Sequence, residues 1–349
     1  MSLSKFDSFR QKLMPKLTHN LGRSHFNRKV QGTKKSKISK VLICRPNQRL
    51  GNMLLITPLL QELTKTFPDC NIDLVVKGGV AKPVFQEYEN VNNIIILPRK
   101  PFKELFKYLK IFFSVKVKRY DLVISADKKS SSGRILTYLS NAKYKVFGTL
   151  EQNLEAVDED YYHMAKNNVY LLRHYLEQIG YRAIKTAIPS LKLKLTEKEL
   201  FNGKTILDNS VINPNKKTIL IFTFATGDKC YSKAWWSAFY KALKIKFGNT
   251  HNILEVLPAE NVSQIDFKAS SFYSKDIREI AAVIANAKLF IGGDGGVMHL
   301  AAATKTTTIG LFAATPVHKY RPYGDKNDFI DTKIGTLDDY MLLIESKLK

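Results

Sequence analysis

The sequence of 349 residues is poor in cysteine and in acidic side chains, and it has no long uninterrupted apolar run. Its three cysteines, Cys44, Cys70 and Cys230, are far apart and odd in number. They argue against a disulfide framework and a zinc site, and they fit a reducing compartment. Without a run of about 18 apolar residues, no transmembrane helix is predicted. The basic N-terminus has no apolar core of roughly 7–15 residues, so we do not expect a secretory signal.

Several nucleotide- and metal-binding motifs are also missing. No Gly-x-Gly-x-x-Gly follows a predicted strand, which argues against a dinucleotide oxidoreductase, and no Gly-x-x-x-x-Gly-Lys-Ser/Thr indicates a P-loop enzyme. No cluster of His, Cys and carboxylate residues indicates a bound metal, so we expect neither a metal nor another cofactor. Asp158-Glu159-Asp160 is similar to a metal-binding Asp-x-Asp, but its weakly structured surroundings favour a solvated turn.

Positive charge is present in excess: 55 basic against 31 acidic residues give a net charge of +24. Such a surface attracts polyanions, including nucleic acid, anionic lipid and phosphorylated glycan. Residues 1–40 carry eleven Lys or Arg and one acid. They predict either a basic amphipathic helix on an anionic membrane or, because Pro15 interrupts the pattern, a disordered tail. The apolar residues at helical spacing are Phe6, Phe9, Leu13 and Leu17.

A second basic stretch, residues 99–119, carries eight Lys or Arg and only Glu104 as an acid. Its apolar residues also recur at helical spacing: Phe102, Leu105, Phe106, Leu109, Phe112 and Phe113. We assign this apolar face to the core and the lysines to a solvated rim. Contact of that rim with a phosphorylated lipid is the alternative.

Strand-like and helix-like runs alternate from residue 40 onward, which predicts α/β domains with parallel sheets. The pattern weakens between residues 186 and 217 and then restarts. We therefore divide the chain into a basic N-terminal segment at 1–39, a first Rossmann-like domain at 40–190, an interdomain link at 191–217, a second Rossmann-like domain at 218–325 and a closing helix at 326–349.

The most informative stretch is a glycine-rich turn between a predicted strand and a predicted helix. Four glycines surround Asp294 within residues 292–296, and residues 297–304 are predicted to be helical. Backbone N–H groups of such a turn approach a phosphate closely, and a helix N-terminus favours negative charge. The stretch therefore predicts a site for an anionic, phosphorylated ligand. The alternative is a tight turn that binds nothing.

A second stretch has the same strand–loop–helix order, and its marked residues are Arg45, Gly51, Asn52, Thr57 and Pro58. Two shorter elements are Ser232-Lys233-Ala234-Trp235 and Leu311-Phe312-Ala313-Ala314-Thr315-Pro316. In this order, the four stretches resemble the motifs of the ADP-heptose:lipopolysaccharide heptosyltransferases, glycosyltransferase family 9. The likeness runs from about residue 40 to residue 325.

This resemblance implies a GT-B fold, in which two Rossmann-like, doubly wound domains face a central cleft. The first would bind the acceptor and the second the nucleotide-sugar, at the carboxyl ends of the strands. The implied reaction is inverting, metal-independent transfer of a heptose from ADP-heptose onto phosphorylated Kdo–lipid A, the inner core of lipopolysaccharide. The positive surface fits this acceptor and an anionic membrane leaflet. We therefore expect a cytoplasmic enzyme, peripheral on the inner face of the inner membrane, with no nucleic-acid partner.

The matching positions, together with Thr226 and Glu260 in the loops that follow two predicted strands, give a set of candidate site residues. Catalytic roles fall to Asn52, Lys233 and Asp294. The expected donor contacts are Thr226, Lys233, Glu260, Asp294, Gly295, Gly296, His299 and Thr315. The expected acceptor contacts are Arg45, Arg49 and Asn52. Three of these have plain structural alternatives: Lys233 as a surface lysine, His299 as a core histidine and Glu260 as a solvated loop residue.

The sequence departs from the family's pattern at three points. Asn52 stands where aspartate is usual, Gly295 stands where Ser or Thr is usual, and the Arg45-to-Gly51 spacing is one residue longer. An amide cannot accept a proton as a carboxylate can. Either another group such as Asp127 or Asp228 is the base, or Asn52 only orients the acceptor, or activity is diminished.

Two alternatives to an active transferase therefore stay open. One is a lapsed transferase that binds nucleotide-sugar or glycan without turnover, which the amide at Asn52 motivates. The other is a basic nucleic-acid-binding protein, which the net charge alone motivates and which predicts salt-sensitive binding.

Overall fold

The computed structural model describes residues 13–14, 16–18, 20–22, 37–101, 103–147 and 160–349. These residues form two compact units. The first comprises the described residues up to Arg49 together with Pro58–Pro189, and the second comprises Leu50–Thr57 and Ser190–Lys349. The chain therefore contributes a short segment to the second unit before it completes the first.

The first unit is an α/β structure built on five parallel strands. These strands are β1 (Lys40–Cys44), β2 (Asn71–Lys77), β3 (Val91–Leu97), β4 (Arg119–Ser125) and β5 (Asn141–Val146). After α1 (Leu50–Leu54), which belongs to the second unit, the helices are α2 (Thr57–Thr66), α3 (Ala81–Phe85), α4 (Leu105–Val117), α5 (Ser131–Leu139) and α6 (Asn167–Gln178).

The sheet of the first unit has the order β3-β2-β1-β4-β5, and every pair is parallel. Its centre is β1, where Val41, Leu42 and Ile43 are completely buried, as an apolar strand covered on both faces must be. The order reverses between β1 and β4, which is the topological switch point of a doubly wound fold. Burial raises the pKa of the Cys44 thiol to about 12, so this cysteine is not a nucleophile.

The second unit repeats the architecture with six strands. The strands are β6 (Thr218–Phe222), β7 (Asn252–Val256), β8 (Ser270–Phe272), β9 (Leu289–Gly293), β10 (Thr307–Phe312) and β11 (Asp328–Asp331). The helices are α7 (Glu197–Ser210), α8 (Lys233–Phe247), α9 (Ile277–Ala285), α10 (Gly296–Ala303), α11 (Val317–Tyr320) and α12 (Leu337–Leu348).

The sheet of the second unit has the order β11-β10-β9-β6-β7-β8, again entirely parallel. Its switch point lies between β6 and β9. Helices α8 and α12 cover one face, and their apolar side chains pack on the strands around the fully buried Trp236 and Phe239. The predicted α/β class with two doubly wound units is confirmed.

Two helices differ from the sequence-based expectation. The apolar spacing of residues 53–67 predicts a single helix, but the structure has two, α1 and α2, because Pro58 has no N–H and fits only a first turn. The segment at 191–217, predicted as a link, contains α7. Thr196 and Glu199 begin that helix with a capping box, in which each side chain accepts from the other's backbone N–H.

The predicted core face of the basic stretch 99–119 is also wrong in part. Helix α4 turns Tyr108, Ile111, Phe112 and Val115 toward the sheet, but most of the apolar positions that the spacing selects are exposed: Leu105, Phe106, Leu109 and Phe113. The reason is that this helix has apolar residues on two faces, of which only one can pack on the sheet.

Other predictions fall on residues outside the described ranges. Of the predicted N-terminal amphipathic helix, Leu13 and Leu17 are described; both are helical and exposed, whereas Phe6 and Phe9 lie outside. Asp158 and Glu159 also lie outside, and Asp160 accepts a hydrogen bond from the Tyr170 hydroxyl at 2.7 Å. None of the helices in the described part of the chain has the length and apolar character needed to cross a membrane.

Helices α7 and α9 are joined by a partly buried ion pair whose effect on stability is testable. Arg278 donates to both carboxylate oxygens of Glu199, at 2.5 and 2.7 Å. The Arg278 guanidinium, helped by Thr196, lowers the pKa of the Glu199 carboxyl from 4.5 to about 2. A lowered folded-state pKa adds stability above pH 4.5, which is lost as the pH falls toward 2.

We therefore expect Glu199→Gln to lower the free energy of unfolding by about 1–3 kcal/mol near neutral pH. The difference from the unmodified protein should shrink below pH 4.5, measured by urea unfolding at a series of pH values. Glu197→Gln, an exposed change in the same first helical turn, is the control and should have little effect. A difference that stays constant down to pH 2 would contradict the ion-pair assignment.

Candidate active site

Asp294 lies at the carboxyl end of β9, between the strand and the first turn of α10. Its backbone N–H donates to the Leu311 carbonyl at 3.1 Å, which continues the pairing of β9 with β10. The side chain is almost fully buried, with 4% of the residue exposed. A carboxylate so removed from water needs charged or hydrogen-bonding partners close by.

Two side chains from neighbouring loops supply those partners. The Lys229 ammonium donates to Asp294 Oδ2 at 2.5 Å, and the Thr315 hydroxyl donates to the same oxygen at 2.7 Å. Lys229 follows β6, Asp294 follows β9 and Thr315 follows β10, and these three strands are adjacent in the sheet. The cluster therefore lies at the carboxyl ends of the strands that flank the switch point, where open α/β sheets bind ligands.

Lys229 is placed by a short 3-10 turn, Gly227–Lys229, in which Gly227 has a φ of +64°, a conformation that glycine adopts without strain. Its ammonium also lies 5.8 Å from the centre of the Tyr320 ring, on α11. About a third of the Lys229 side chain stays exposed. The cation therefore neutralises a buried carboxylate and remains accessible to a second anion.

His299 occupies the first turn of α10, with its Nε2 4.0 Å from Asp294 Oδ1. The ring is buried and lies against α1: a Cβ added at Gly51 would come within 2.9 Å of His299 Cδ2. A Cβ added at Gly296 would come within 3.1 Å of Leu50 Cβ. At both positions an added Cβ would have to displace a neighbour, because α1 and α10 approach each other closely.

The glycines of the turn therefore differ in what they do. Gly292 has no room for a Cβ, because Phe290 Cε1 would be 2.9 Å away. Gly295 is open, with its nearest neighbour, the Gly293 carbonyl oxygen, at 3.7 Å, and its φ of −172° is accessible to any residue. Packing accounts for Gly292 and Gly296, whereas the absence of a side chain at Gly295 leaves space beside Asp294.

Arg45 and Thr57 of the first motif are buried and bonded to other parts of the protein. The buried Arg45 guanidinium donates to the Ala126 carbonyl at 2.7 Å and lies 3.2 Å from Asp127. The buried Thr57 hydroxyl donates to the Leu54 carbonyl and accepts from the Lys192 N–H, at 2.7 and 3.1 Å. The expected acceptor role of Arg45 thus falls on a cation that already has protein partners.

The other two predicted acceptor residues are more accessible. Asn52 is half-buried on α1, the helix that packs on α10, and Arg49 is exposed in the loop just before it. Their predicted contacts with an acceptor stay predictions. Asp127 and Asp228 are the two alternative candidates for the base. Asp127 is ion-paired with Arg45, and Asp228 is exposed in the turn that carries Lys229.

Three of the predicted donor residues do not contact Asp294 in the hydrogen bonds and ion pairs described for it. Lys233 is the first residue of α8. Its ammonium pairs with Asp266 Oδ1 at 2.6 Å, and both side chains are exposed. Thr226 is exposed at the start of the 3-10 turn, and Glu260 is exposed in the turn after β7. The structure brings Lys229, rather than Lys233, to Asp294.

A buried carboxylate supports the loop that carries Glu260. Glu255, at the end of β7, is fully buried and accepts from the Thr223 hydroxyl at 2.5 Å and from Ser263 at 2.7 Å. Ser263 Oγ in turn accepts from the N–H groups of Ile265 and Phe267. Burial raises the pKa of the Glu255 carboxyl, although the two hydroxyls oppose that shift. This network fixes the loop after β7 at the same edge of the sheet.

Lys229 and Tyr320 were not selected from the sequence. Lys229 is one of many lysines in this basic chain, and the Ser232-Lys233-Ala234-Trp235 element predicts a role for Lys233 instead. A usable signal was present, because Gly227-Asp228-Lys229 closely follows a predicted strand that the resemblance places in the donor domain. A turn at the carboxyl end of such a strand is where ligand-contacting residues are expected.

Comparison with known proteins agrees with this fold. The family model described as glycosyltransferase family 9 (heptosyltransferase) matches residues 108–339, more than half of the chain. The chain therefore belongs to glycosyltransferase family 9, and it is a glycosyltransferase. The expected family membership is confirmed.

Individual relatives are distant but cover most of the chain. Lipopolysaccharide heptosyltransferase 3 of Escherichia coli is 25% identical over 79% of this chain and 84% of its own length. Among solved structures, a family 9 glycosyl transferase from Veillonella parvula matches 89% of this chain and 90% of its own with a TM-score of 0.68 at 15% identity. The E. coli heptosyltransferase WaaC with ADP matches 88% of this chain and 99% of its own with a TM-score of 0.63 at 17% identity. The expected GT-B class is confirmed.

The close approach of α1 and α10 gives a test of the glycine assignments. Gly51→Ala should destabilise the protein, because overpacking against His299 costs about 1–3 kcal/mol. That cost exceeds the gain of up to about 1 kcal/mol that alanine has over glycine in a helix. Gly295→Ala, which meets no atom closer than 3.7 Å, is the control and should be close to neutral. Equal melting temperatures for the two variants would argue against tight packing at Gly51.

Proposed function

We propose that this family 9 glycosyltransferase transfers a heptose from ADP-heptose onto the phosphorylated Kdo–lipid A inner core of lipopolysaccharide. The observation that carries the proposal is the Asp294–Lys229–Thr315 cluster, which lies at the N-terminus of α10 and at the sheet's switch point. The names of the relatives support the heptose and the lipopolysaccharide acceptor, and the WaaC structure with ADP supports the nucleotide.

Glycosyl transfer from a nucleotide diphosphate places growing negative charge on the leaving phosphates. In the proposal, Lys229 and the backbone N–H groups at the start of α10 stabilise that charge. Asp294 acts by holding Lys229 and Thr315 in position, and its second oxygen faces His299. Gly295 leaves room there for a phosphate. Inversion without a metal ion belongs to the same proposal and comes from the family resemblance.

The acceptor hydroxyl has to lose a proton, and Asn52 cannot take it. We propose that the Asn52 amide orients the acceptor by hydrogen bonding and that Arg49, as an exposed cation, contacts an acceptor phosphate. The enzyme would act in the cytoplasm, peripheral on the inner face of the inner membrane, where such a lipid acceptor is presented. The +24 net charge supports attraction to that anionic surface.

The first test is ADP release from ADP-heptose by the purified protein, with and without Kdo–lipid A. We expect acceptor-dependent release, which Asp294→Asn should reduce by about 100-fold or more because Lys229 loses its anchor. Asp208→Asn, on α7, is a matched change at a carboxylate paired with another lysine and should leave release unchanged. Donor binding without release, even with acceptor, would contradict the transferase proposal and favour a lapsed enzyme. A protein that binds no ADP-heptose would overturn the donor assignment.

A second test separates the two candidate lysines. Lys229→Met should lower kcat by about 100-fold, because a cation at the leaving phosphates acts mainly in the transition state. Lys233→Met should have a smaller effect, since that ammonium is paired with Asp266. Lys241→Met, an exposed change on α8, is the control, and steady-state ADP release is the measurement. The reverse order of effects would assign the phosphate contact to Lys233.

A further inference from the structure

Helix α4 carries an exposed apolar stripe that the fold of its own unit does not use. Phe106 is 91% exposed and Phe113 is 68% exposed. Three further apolar residues of the helix are more than 40% exposed: Leu105, Leu109 and Val117. Exposed apolar residues are ordinary when single, but a run of five on one helix of about 20 Å marks an interaction surface.

The stripe is a continuous face of the helix. At 3.6 residues per turn, positions 105, 109, 113 and 117 follow one another along one side, and 106 lies beside them. The opposite side holds the helix on the sheet through Tyr108, Ile111, Phe112 and Val115. The Tyr108 hydroxyl is hydrogen-bonded to Ser132 on α5 at 2.7 Å, so the orientation of α4 is fixed. The exposed stripe thus points away from the core.

Lysines border this stripe on both sides. Helical projection places Lys116 on one flank and Lys110 on the other, and both are exposed. Lys103, two residues before the helix, is exposed as well. Arg99 and Lys100, just before the helix, are exposed as well. Glu104, the one acid in the sequence of residues 99–119, lies 3.4 Å from Lys107 and forms an exposed ion pair with it. The surface is therefore apolar in the middle and positive at its edges.

We propose that this face of α4, with its flanking lysines, docks the protein on an anionic lipid bilayer. Apolar side chains in the middle enter the boundary between headgroups and acyl chains, and lysines at the edge contact lipid phosphates. A second copy of the chain fits this face poorly, because the flanking lysines of the two copies would repel each other. The proposal rests on the peripheral membrane location given above and specifies the surface that makes it.

Vesicle co-sedimentation without any sugar donor tests the docking face separately from the reaction. The full chain should bind phosphatidylglycerol-containing vesicles more tightly than pure phosphatidylcholine vesicles, and added salt should weaken binding. The double variant Phe106→Ser with Phe113→Ser should lose vesicle affinity by about tenfold or more. Phe201→Ser, which removes a 73% exposed phenylalanine from α7 in the other unit, is the control and should bind normally.

Charge at the edge of the stripe is tested by Lys110→Gln with Lys116→Gln, which should weaken binding to the anionic vesicles by about tenfold. Lys198→Gln with Lys241→Gln, two exposed lysines of the other unit, is the matched control.

Unchanged sedimentation of the phenylalanine double variant would overturn the docking face. A change of oligomeric state in that variant, with vesicle binding retained, would instead assign the stripe to a contact between copies of the chain. ADP release on detergent-dispersed acceptor should persist in the phenylalanine variant, so failure of docking and failure of the reaction are distinguishable.

Discussion

The ion pair between Lys229 and Asp294 is the contact on which the candidate site depends. A carboxylate as buried as Asp294 is costly unless a cation and hydrogen bonds compensate it. Because its partners come from different loops, this one carboxylate holds the ends of β6, β9 and β10 in a fixed relation. The same pair keeps a cation near the N-terminus of α10, so one contact both compensates the buried carboxylate and positions the lysine that we propose as the phosphate ligand.

The first unit has a pair in the equivalent place, and the contrast is informative. Arg45 follows β1 and Asp127 follows β4, the two strands at that sheet's switch point, and they lie 3.2 Å apart. The Arg45 guanidinium is buried and also bonded to the Ala126 carbonyl, whereas Lys229 is about a third exposed. One cation is committed to the protein, and the other remains accessible to a ligand. This difference favours the second unit as the holder of the anionic donor.

Much of the fold was predictable because long, strongly patterned elements decide it. Apolar runs and capping residues predict a strand at 40–44 and helices at 277–285 and 337–348, and the structure has elements with these bounds. Helix α7 was missed because its polar sequence has weak periodicity, although the Thr196–Glu199 capping box was readable. The short strands β8 and β11 carry too few residues to show a period.

The site was predictable only in part, for a physical reason. Asp294, His299 and Thr315 belong to motifs, and the structure brings them together. Lys229 belongs to no motif, and a sequence does not show which of many lysines a buried carboxylate will select. Likewise, the spacing of apolar residues in α4 indicates a helix without telling which of two apolar faces the sheet will cover.

A double-mutant cycle on ADP affinity tests the central claim most directly. Calorimetric titration of ADP into the unmodified protein, Lys229→Met, Asp294→Asn and the combined variant gives the coupling between the two side chains. If Asp294 acts by holding Lys229 against the diphosphate, the effects should be strongly non-additive, with a coupling of about 1 kcal/mol or more. Additive losses, or ADP affinity unchanged in Lys229→Met, would contradict the account.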